Sequence, residues 1–178
     1  MAHYFKPFPT MYYDAVQDAT SSPKLVTNFL RRVKVREGIK NQTALFSTYR
    51  VGPGETPEMV SFRFYGRVDY YWVVLLMNNI KDRFYDWPKT EHQFLTYVND
   101  KYADPNAIHS YEVAQSSGPT TSIDDSHLVE VNSDAVGASS LTNLEYERRL
   151  EDNKSLVKIL DRQYLSQFVE EFSKLVRG

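Results

Sequence analysis

The alternation of apolar and polar residues predicts one strand followed by a helix in the middle of the chain. Leu45–Val51 has the pattern of a strand, which Gly52–Gly54 ends because glycine reaches positive φ and proline cannot continue a ladder. Thr56 then stands where an N-cap is expected, directly before a proline that suits the first helical position. We therefore expect a helix over Pro57–Tyr65 that stops at Gly66.

Two further helices are predicted after this one. Asp69 can cap a helix over Tyr70–Met77, which is apolar on nearly every face and must therefore be buried. Thr90 and Gln93 form a capping-box pattern for a third helix that runs towards Tyr102.

The residues before these helices are predicted to be extended. Pro7 and Pro9 fix an extended entry, after which Met11–Val16 suits a short edge strand. Across Leu25–Val35 the pattern is ambiguous. Valines that alternate with basic residues favour a strand, while the spacing of the earlier apolar residues also allows a helical turn.

Beyond Ala103 the composition becomes more polar. Strands are predicted at Ile108–Ala114 and His127–Val131. The segments Ser116–Ser122 and Asn132–Asn143 contain too few apolar residues to order themselves.

The last part of the chain predicts a hairpin and a helix. Leu144–Arg149 and Leu156–Leu160 have the pattern of two strands that flank a turn at Glu151–Lys154. After Asp161, a suitable N-cap, the apolar residues from Tyr164 to Val176 recur at helical spacing on one face. Together the elements predict an α+β fold with a strand–helix–helix core, an added third helix, extended β arms and a C-terminal amphipathic helix.

The predicted elements divide the chain into three segments. Residues 1–44 form an extended N-terminal segment with short strands, 45–102 hold the helical core, and 103–178 form a β arm with low-complexity loops and the C-terminal helix. A chain of 178 residues supports about one full core, so we expect a single domain with appended parts.

Charge and composition argue against several classes of function. The formal net charge of -2 provides no field that attracts nucleic acid or an anionic membrane. No apolar run approaches the roughly 18 residues that span a bilayer, and the N-terminus lacks the pattern of a signal peptide. Cysteine is absent, which excludes disulfides and zinc sites that need sulfur.

No pattern of catalytic residues appears. The four histidines are far apart in sequence and none has metal-ligand spacing. Glu145, Glu147 and Glu151 are typical of a solvated face, and no serine lies in a nucleophile elbow. We therefore expect a protein that is not an enzyme and has no cofactor or metal.

Aromatic residues suggest contact surfaces instead. The chain has 13 tyrosines and 10 phenylalanines, residues that suit surfaces covered by a partner. Trp72 is predicted to lie in the core, whereas Trp87 is the better candidate for an exposed contact. The expected protein-interface residues are the turn after the first strand, an aromatic loop and the apolar face of the last helix: Gly52, Pro53, Gly54, Glu55, Thr56, Pro57, Tyr85, Trp87, Pro88, Phe168 and Phe172.

Part of the chain resembles a LysM motif. The family shows a strand ending in Tyr-x-Val, a Gly-Glu-Thr type of turn that caps a helix, a Tyr-Gly exit and a second helix that runs into Asn. Tyr49–Gly66 and Leu75–Ile80 match these features. Where the family returns with a second strand, this chain has Asp82–Pro88 and then another helix.

A wider pattern is similar to the LysM-like baseplate wedge subunit of T-even-type contractile-tailed bacteriophages. It includes Thr27–Val33, Glu55–Glu58, Tyr70–Trp72, Asn78–Ile80, Asp86–Pro88, His109–Glu112 and Ile159–Leu165. The resemblance implies a structural subunit of the virion, assembled in the host cytoplasm, that links neighbouring wedges and the central hub in several copies per sixfold baseplate. The alternative is a tail-associated protein that binds or degrades peptidoglycan through the LysM-like module.

Overall fold

The computed structural model describes residues 4–16, 21–35, 43–116 and 123–177, and the fold is α+β, as predicted. The strands are β1 Thr10–Tyr13, β2 Lys24–Thr27, β3 Phe46–Arg50, β4 Ile108–Ser116, β5 Ile123–Val131, β6 Ser139–Thr142 and β7 Leu156–Leu160. The α-helices are α1 Pro57–Tyr65, α2 Tyr71–Met77, α3 Arg83–Asp86, α4 Glu91–Lys101, α5 Asn143–Ser155 and α6 Leu165–Arg177.

The chain forms two compact units. The first contains residues 1–87 and 156–178, and the second contains residues 88–155. These boundaries do not coincide with the predicted ones after residues 44 and 102, and the three-segment division stays a prediction.

The first unit is built on a pair of strands that are distant in sequence. β3 pairs with β7 in antiparallel register, with Phe46 opposite Leu160 and Arg50 opposite Leu156. Val157 and Ile159 point from β7 into a core that also contains residues of α1, α2 and α6. The strand predicted at Leu156–Leu160 is therefore confirmed, but its partner is β3 and not a neighbouring hairpin strand.

The strand predicted at Leu144–Arg149 and the turn after it are wrong, because these residues lie in α5. Leu144 and Tyr146 alternate with charged residues as in a strand, but the start of α5 is stabilised locally. The amide of Glu145 donates to Thr142 Oγ1 at 3.3 Å, and the amide of Thr142 donates to Glu145 Oε2 at 2.9 Å. This reciprocal capping box satisfies two backbone donors that a helix start leaves unpaired.

The predicted starts of α1 and α4 are confirmed. Thr56 Oγ1 accepts from the amide of Met59, and Gly66 ends α1 with a φ of 72°. Thr90 and Gln93 form the expected capping box. Asp69, in contrast, does not cap α2: it lies in a 3-10 turn, Val68–Tyr70, and pairs with Arg67.

The N-terminal part of the first unit contains a short antiparallel hairpin. β1 pairs with β2, with Thr10 opposite Thr27 and Tyr13 opposite Lys24. Of the predicted strand Leu25–Val35, only Leu25–Thr27 is in a ladder, as part of β2. Residues 28–35 form no helix or strand, and Val35 at their end is buried in the core of the unit.

The second unit is a three-stranded antiparallel sheet with two helices. The strand order is β5-β4-β6. The predicted strands at Ile108–Ala114 and His127–Val131 are confirmed as parts of β4 and β5, whereas the disorder predicted for Asn132–Asn143 is wrong because β6 lies there. Residues 117–122 of the other predicted low-complexity segment lie outside the described residues.

Ion pairs connect the two helices of the second unit. Glu147 of α5 is buried, and its carboxylate accepts from Lys101 Nζ at 2.6 Å and from the Tyr102 hydroxyl at 2.8 Å. Arg148 makes a two-pronged pair with Glu91, at 2.6 and 2.9 Å. The solvated face predicted for Glu145, Glu147 and Glu151 is therefore wrong for Glu147, because its carboxylate is buried and satisfied by these charge-assisted hydrogen bonds.

Candidate protein–protein interface

The turn after β3 is organised around one carboxylate. Glu55 Oε2 accepts from the Tyr49 hydroxyl at 2.7 Å and from the Gly52 amide at 3.0 Å. Its Oε1 lies 3.1 Å from Arg63 Nη2. Gly54 supplies the positive φ, 74°, that the turn requires. The loop is therefore held in one shape, which lowers the entropy cost of binding a partner.

Tyr49 shares this network. Burial raises the pKa of its phenol, and the hydrogen bond it donates to the Glu55 carboxylate raises the pKa further. Arg63 donates to the same hydroxyl, and the Tyr49 ring packs edge-on against Phe64 at 5.1 Å. The tyrosine of the Tyr-x-Val pattern, Tyr49, therefore stabilises the turn through its hydrogen bond to Glu55.

Trp87 fixes the other side of the turn. Its indole Nε1 donates to the Glu55 carbonyl at 2.8 Å, and only 5% of the residue is exposed. The expected exposure of Trp87 is therefore wrong, because its single polar atom finds a partner inside the protein and the ring can be buried without loss. Trp87 is a supporting residue of the loop.

An apolar rim lies beside the turn on the outer face of α1. Met59 and Phe62 are 58% and 62% exposed, and with Val68 they line a groove shared with Gly52–Thr56. These two helix residues are absent from the predicted interface set. Their signal in the sequence is the i, i+3 spacing of apolar residues on a face opposite Val60 and Ser61, which are buried.

The other predicted contact residues differ in exposure. Pro53 and Gly54 are exposed, whereas Pro57 is buried under the turn. Tyr85 is exposed in α3, and Pro88, which opens the second unit, is half-buried. The exposed members remain candidates for contact with a partner.

The apolar face of α6 mainly serves the core. Phe172 is 2% exposed and its ring centroid lies 4.7 Å from that of Trp72. Phe168 is half-buried, 6.2 Å from the same tryptophan. Leu175 lies outside this packing and is exposed. Of the two predicted contact residues in this helix, Phe172 is thus covered by its own chain.

A cluster of metal ligands and a membrane-spanning helix are both absent from the described part of the chain. No three His, Asp or Glu side chains there are close enough to hold a metal ion. In the same residues, no helix has the length and apolar character needed to cross a bilayer. The fixed turn beside the exposed side chains of Met59 and Phe62 is the candidate contact surface of the first unit.

Comparison with known proteins gives one family. The family model described as base plate wedge protein 53 matches residues 5–113, which include β1 to α4 and most of β4. No curated protein matches.

Proposed function

The chain belongs to the base plate wedge protein 53 family, and we propose that it links neighbouring wedges to one another and to the central hub during baseplate assembly. Membership makes it a structural subunit that associates with other components of the phage tail baseplate. The match over residues 5–113 is the observation that carries the proposal. In this function the protein acts by contact and needs no catalytic residue or cofactor.

We propose further that the first unit is a LysM-like module whose last strand is displaced along the chain. The sequence shows no return strand directly after α2. The order β3–α1–α2–β7, with β3 and β7 antiparallel, supports a strand–helix–helix–strand arrangement that residues 78–155 interrupt. In this arrangement the second unit is an insertion in the chain between α2 and β7.

The contact surface in this proposal is the groove formed by the turn and α1. Gly52–Thr56 gives it a fixed wall, and Met59 and Phe62 give it exposed apolar area that burial against a partner would stabilise. Tyr85 of α3 is exposed and belongs to the same unit.

The test is sedimentation of wedge complexes prepared without this subunit, before and after the purified protein is added. We expect rings that contain the hub only after addition. Equal closure of wedges without the protein would refute the linking role.

The same assay tests the groove. A Met59→Ser, Phe62→Ser double variant should fold normally, since both side chains are exposed, but should close few rings. Val136→Ser, which removes an even more exposed apolar side chain from the second unit, is the control and should close rings as the wild type does. Full activity of the double variant would exclude this groove.

Peptidoglycan binding or degradation is the competing function of a LysM-like module. Co-sedimentation with insoluble peptidoglycan distinguishes glycan binding from the linking function, because a structural linker stays in the supernatant. Co-sedimentation that the Met59→Ser, Phe62→Ser variant loses would favour the glycan function.

A further inference from the structure

A second groove of the first unit combines apolar walls with cationic side chains. We propose that it binds an acidic, amphipathic segment of a neighbouring baseplate subunit. Only the identity of the partner, a baseplate subunit, rests on the proposed function. The chemistry of the segment follows from the groove itself.

The apolar part of the groove is aromatic. Tyr4 lies inside, with its ring centroid 5.6 Å from that of Trp72 and 4.9 Å from that of Phe5. Phe5 and Phe29 are 59% and 69% exposed and line the groove together. Two large aromatic side chains that remain mostly in water on one groove mark a surface that a partner covers.

The polar part is positive. Arg31, Arg32 and Lys81 line the groove, and no carboxylate is among its lining residues in the described part of the chain. The guanidinium of Arg31 donates to the carbonyl of Val176 at 2.9 Å, and that of Arg32 donates to Asn79 Oδ1 at 3.3 Å. A guanidinium has five N–H donors, so one such bond orients each group and leaves capacity for a carboxylate.

These two features select the partner. The aromatic walls require apolar side chains, and the three cations require carboxylates beside them, so one segment must carry both. Nucleic acid fits less well, because a phosphate backbone needs a row of cations, whereas most of this groove is apolar and the chain has a net charge of -2. The favoured occupant is a helix or extended stretch of a wedge subunit with Asp or Glu next to large apolar residues.

Site-specific photo-crosslinking identifies the occupant. Benzoylphenylalanine in place of Phe29 is irradiated in wedge complexes that lack the native subunit, and the attached peptide is sequenced. We expect a peptide of another wedge subunit with a carboxylate within about four residues of the crosslink, one helical turn. The same probe at Val136, exposed in the second unit, should not attach to that peptide.

Three results would overturn the proposal. They are crosslinks only to a second copy of this chain, crosslinks to a peptide without nearby carboxylates, and no crosslink in complexes that assemble normally. Ring closure is scored separately by sedimentation. If the probe attaches to an acidic segment but wedges close without the protein, this inference stands and the linking function is refuted. If closure requires the protein but the probe attaches to no acidic segment, the linking function stands and this inference is refuted.

Charge reversal provides an independent measurement. An Arg32→Glu, Lys81→Glu double variant should bind the wedge complexes about tenfold more weakly, with a smaller dependence on salt. Arg162→Glu changes an exposed cation of the same unit that does not line this groove, and its binding should change less than about twofold. Unchanged binding of the double variant, or a loss confined to binding of DNA fragments, would contradict a protein partner at this groove.

Discussion

The side chain of Asn78, at the end of α2, joins that helix to β7, the strand that follows the second unit in the chain. Its Oδ1 accepts from the amide of Lys158 at 2.7 Å, and its Nδ2 donates to the carbonyl of the same residue at 2.9 Å. Nδ2 also donates to the carbonyl of Val74 at 2.8 Å. An Asn78→Ala substitution therefore removes three hydrogen bonds, two of which connect segments 80 residues apart.

The expected cost follows from these bonds. Each hydrogen bond contributes about 1 kcal/mol net, and a partly buried amide left without a partner costs about as much again. The site is only partly buried, so water can replace some of what is lost. We therefore expect Asn78→Ala to lower the free energy of unfolding of the first unit by about 2–4 kcal/mol.

Tryptophan fluorescence during urea unfolding measures this unit selectively. Both tryptophans of the chain, Trp72 and Trp87, belong to it. Asn28→Ala is the control, since it removes one exposed hydrogen bond, to the amide of Leu30, and should cost less than about 1 kcal/mol. If Asn78→Ala is no more destabilising than the control, the bridge to β7 does not stabilise the unit as argued.

Three further predictions concern single residues. Phe172→Ala should cost about 3–5 kcal/mol in the same titration, because the ring is buried; a loss below about 1 kcal/mol would contradict the packing. Gly66→Ala should cost about 1 kcal/mol through its positive φ alone, since a methyl group there meets open space, and Gly66→Asn should cost less. Burial raises the pKa of Glu147, but hydrogen bonds led by that from Lys101 bring it below the ordinary 4.5. Its stabilisation is therefore fully present above pH 4.5 and is lost as the pH falls through the lowered pKa. Glu147→Gln should give weaker hydrogen-exchange protection than wild type at pH 6, and the difference should shrink as the pH is lowered below 4.5.

The helices were predictable where their ends are specified by neighbouring residues. Thr56 and Gly66 bound α1, and Thr90 with Gln93 starts α4, so the local sequence contains the relevant donors and acceptors. The partner of β7 was not predictable, because the pairing depends on a strand more than a hundred residues earlier. Helix α5 was missed although its capping box is local, since its apolar residues also alternate as in a strand.

The candidate interface was predictable only as a turn. Glycine and proline at positions 52–54 predict a loop, and its position beside α1 follows from the cap at Thr56. The roles within it depend on three-dimensional neighbours. Glu55 holds the turn through Tyr49, and Trp87 is covered because its indole reaches a carbonyl distant in sequence.

The pairing of two strands distant in sequence constrains how the first unit forms. The region that the family model matches ends at residue 113, before β7, yet the strand that pairs with β3 among the described residues is Leu156–Leu160. Until those residues are present, the apolar side chains of α1 and α2 lack Val157 and Ile159 as packing partners, and Asn78 lacks its bonds to Lys158. Residues 51–155 lie between the two paired strands, so forming this pair closes a long loop, and the packing of Val157 and Ile159 must offset the entropy cost of that closure.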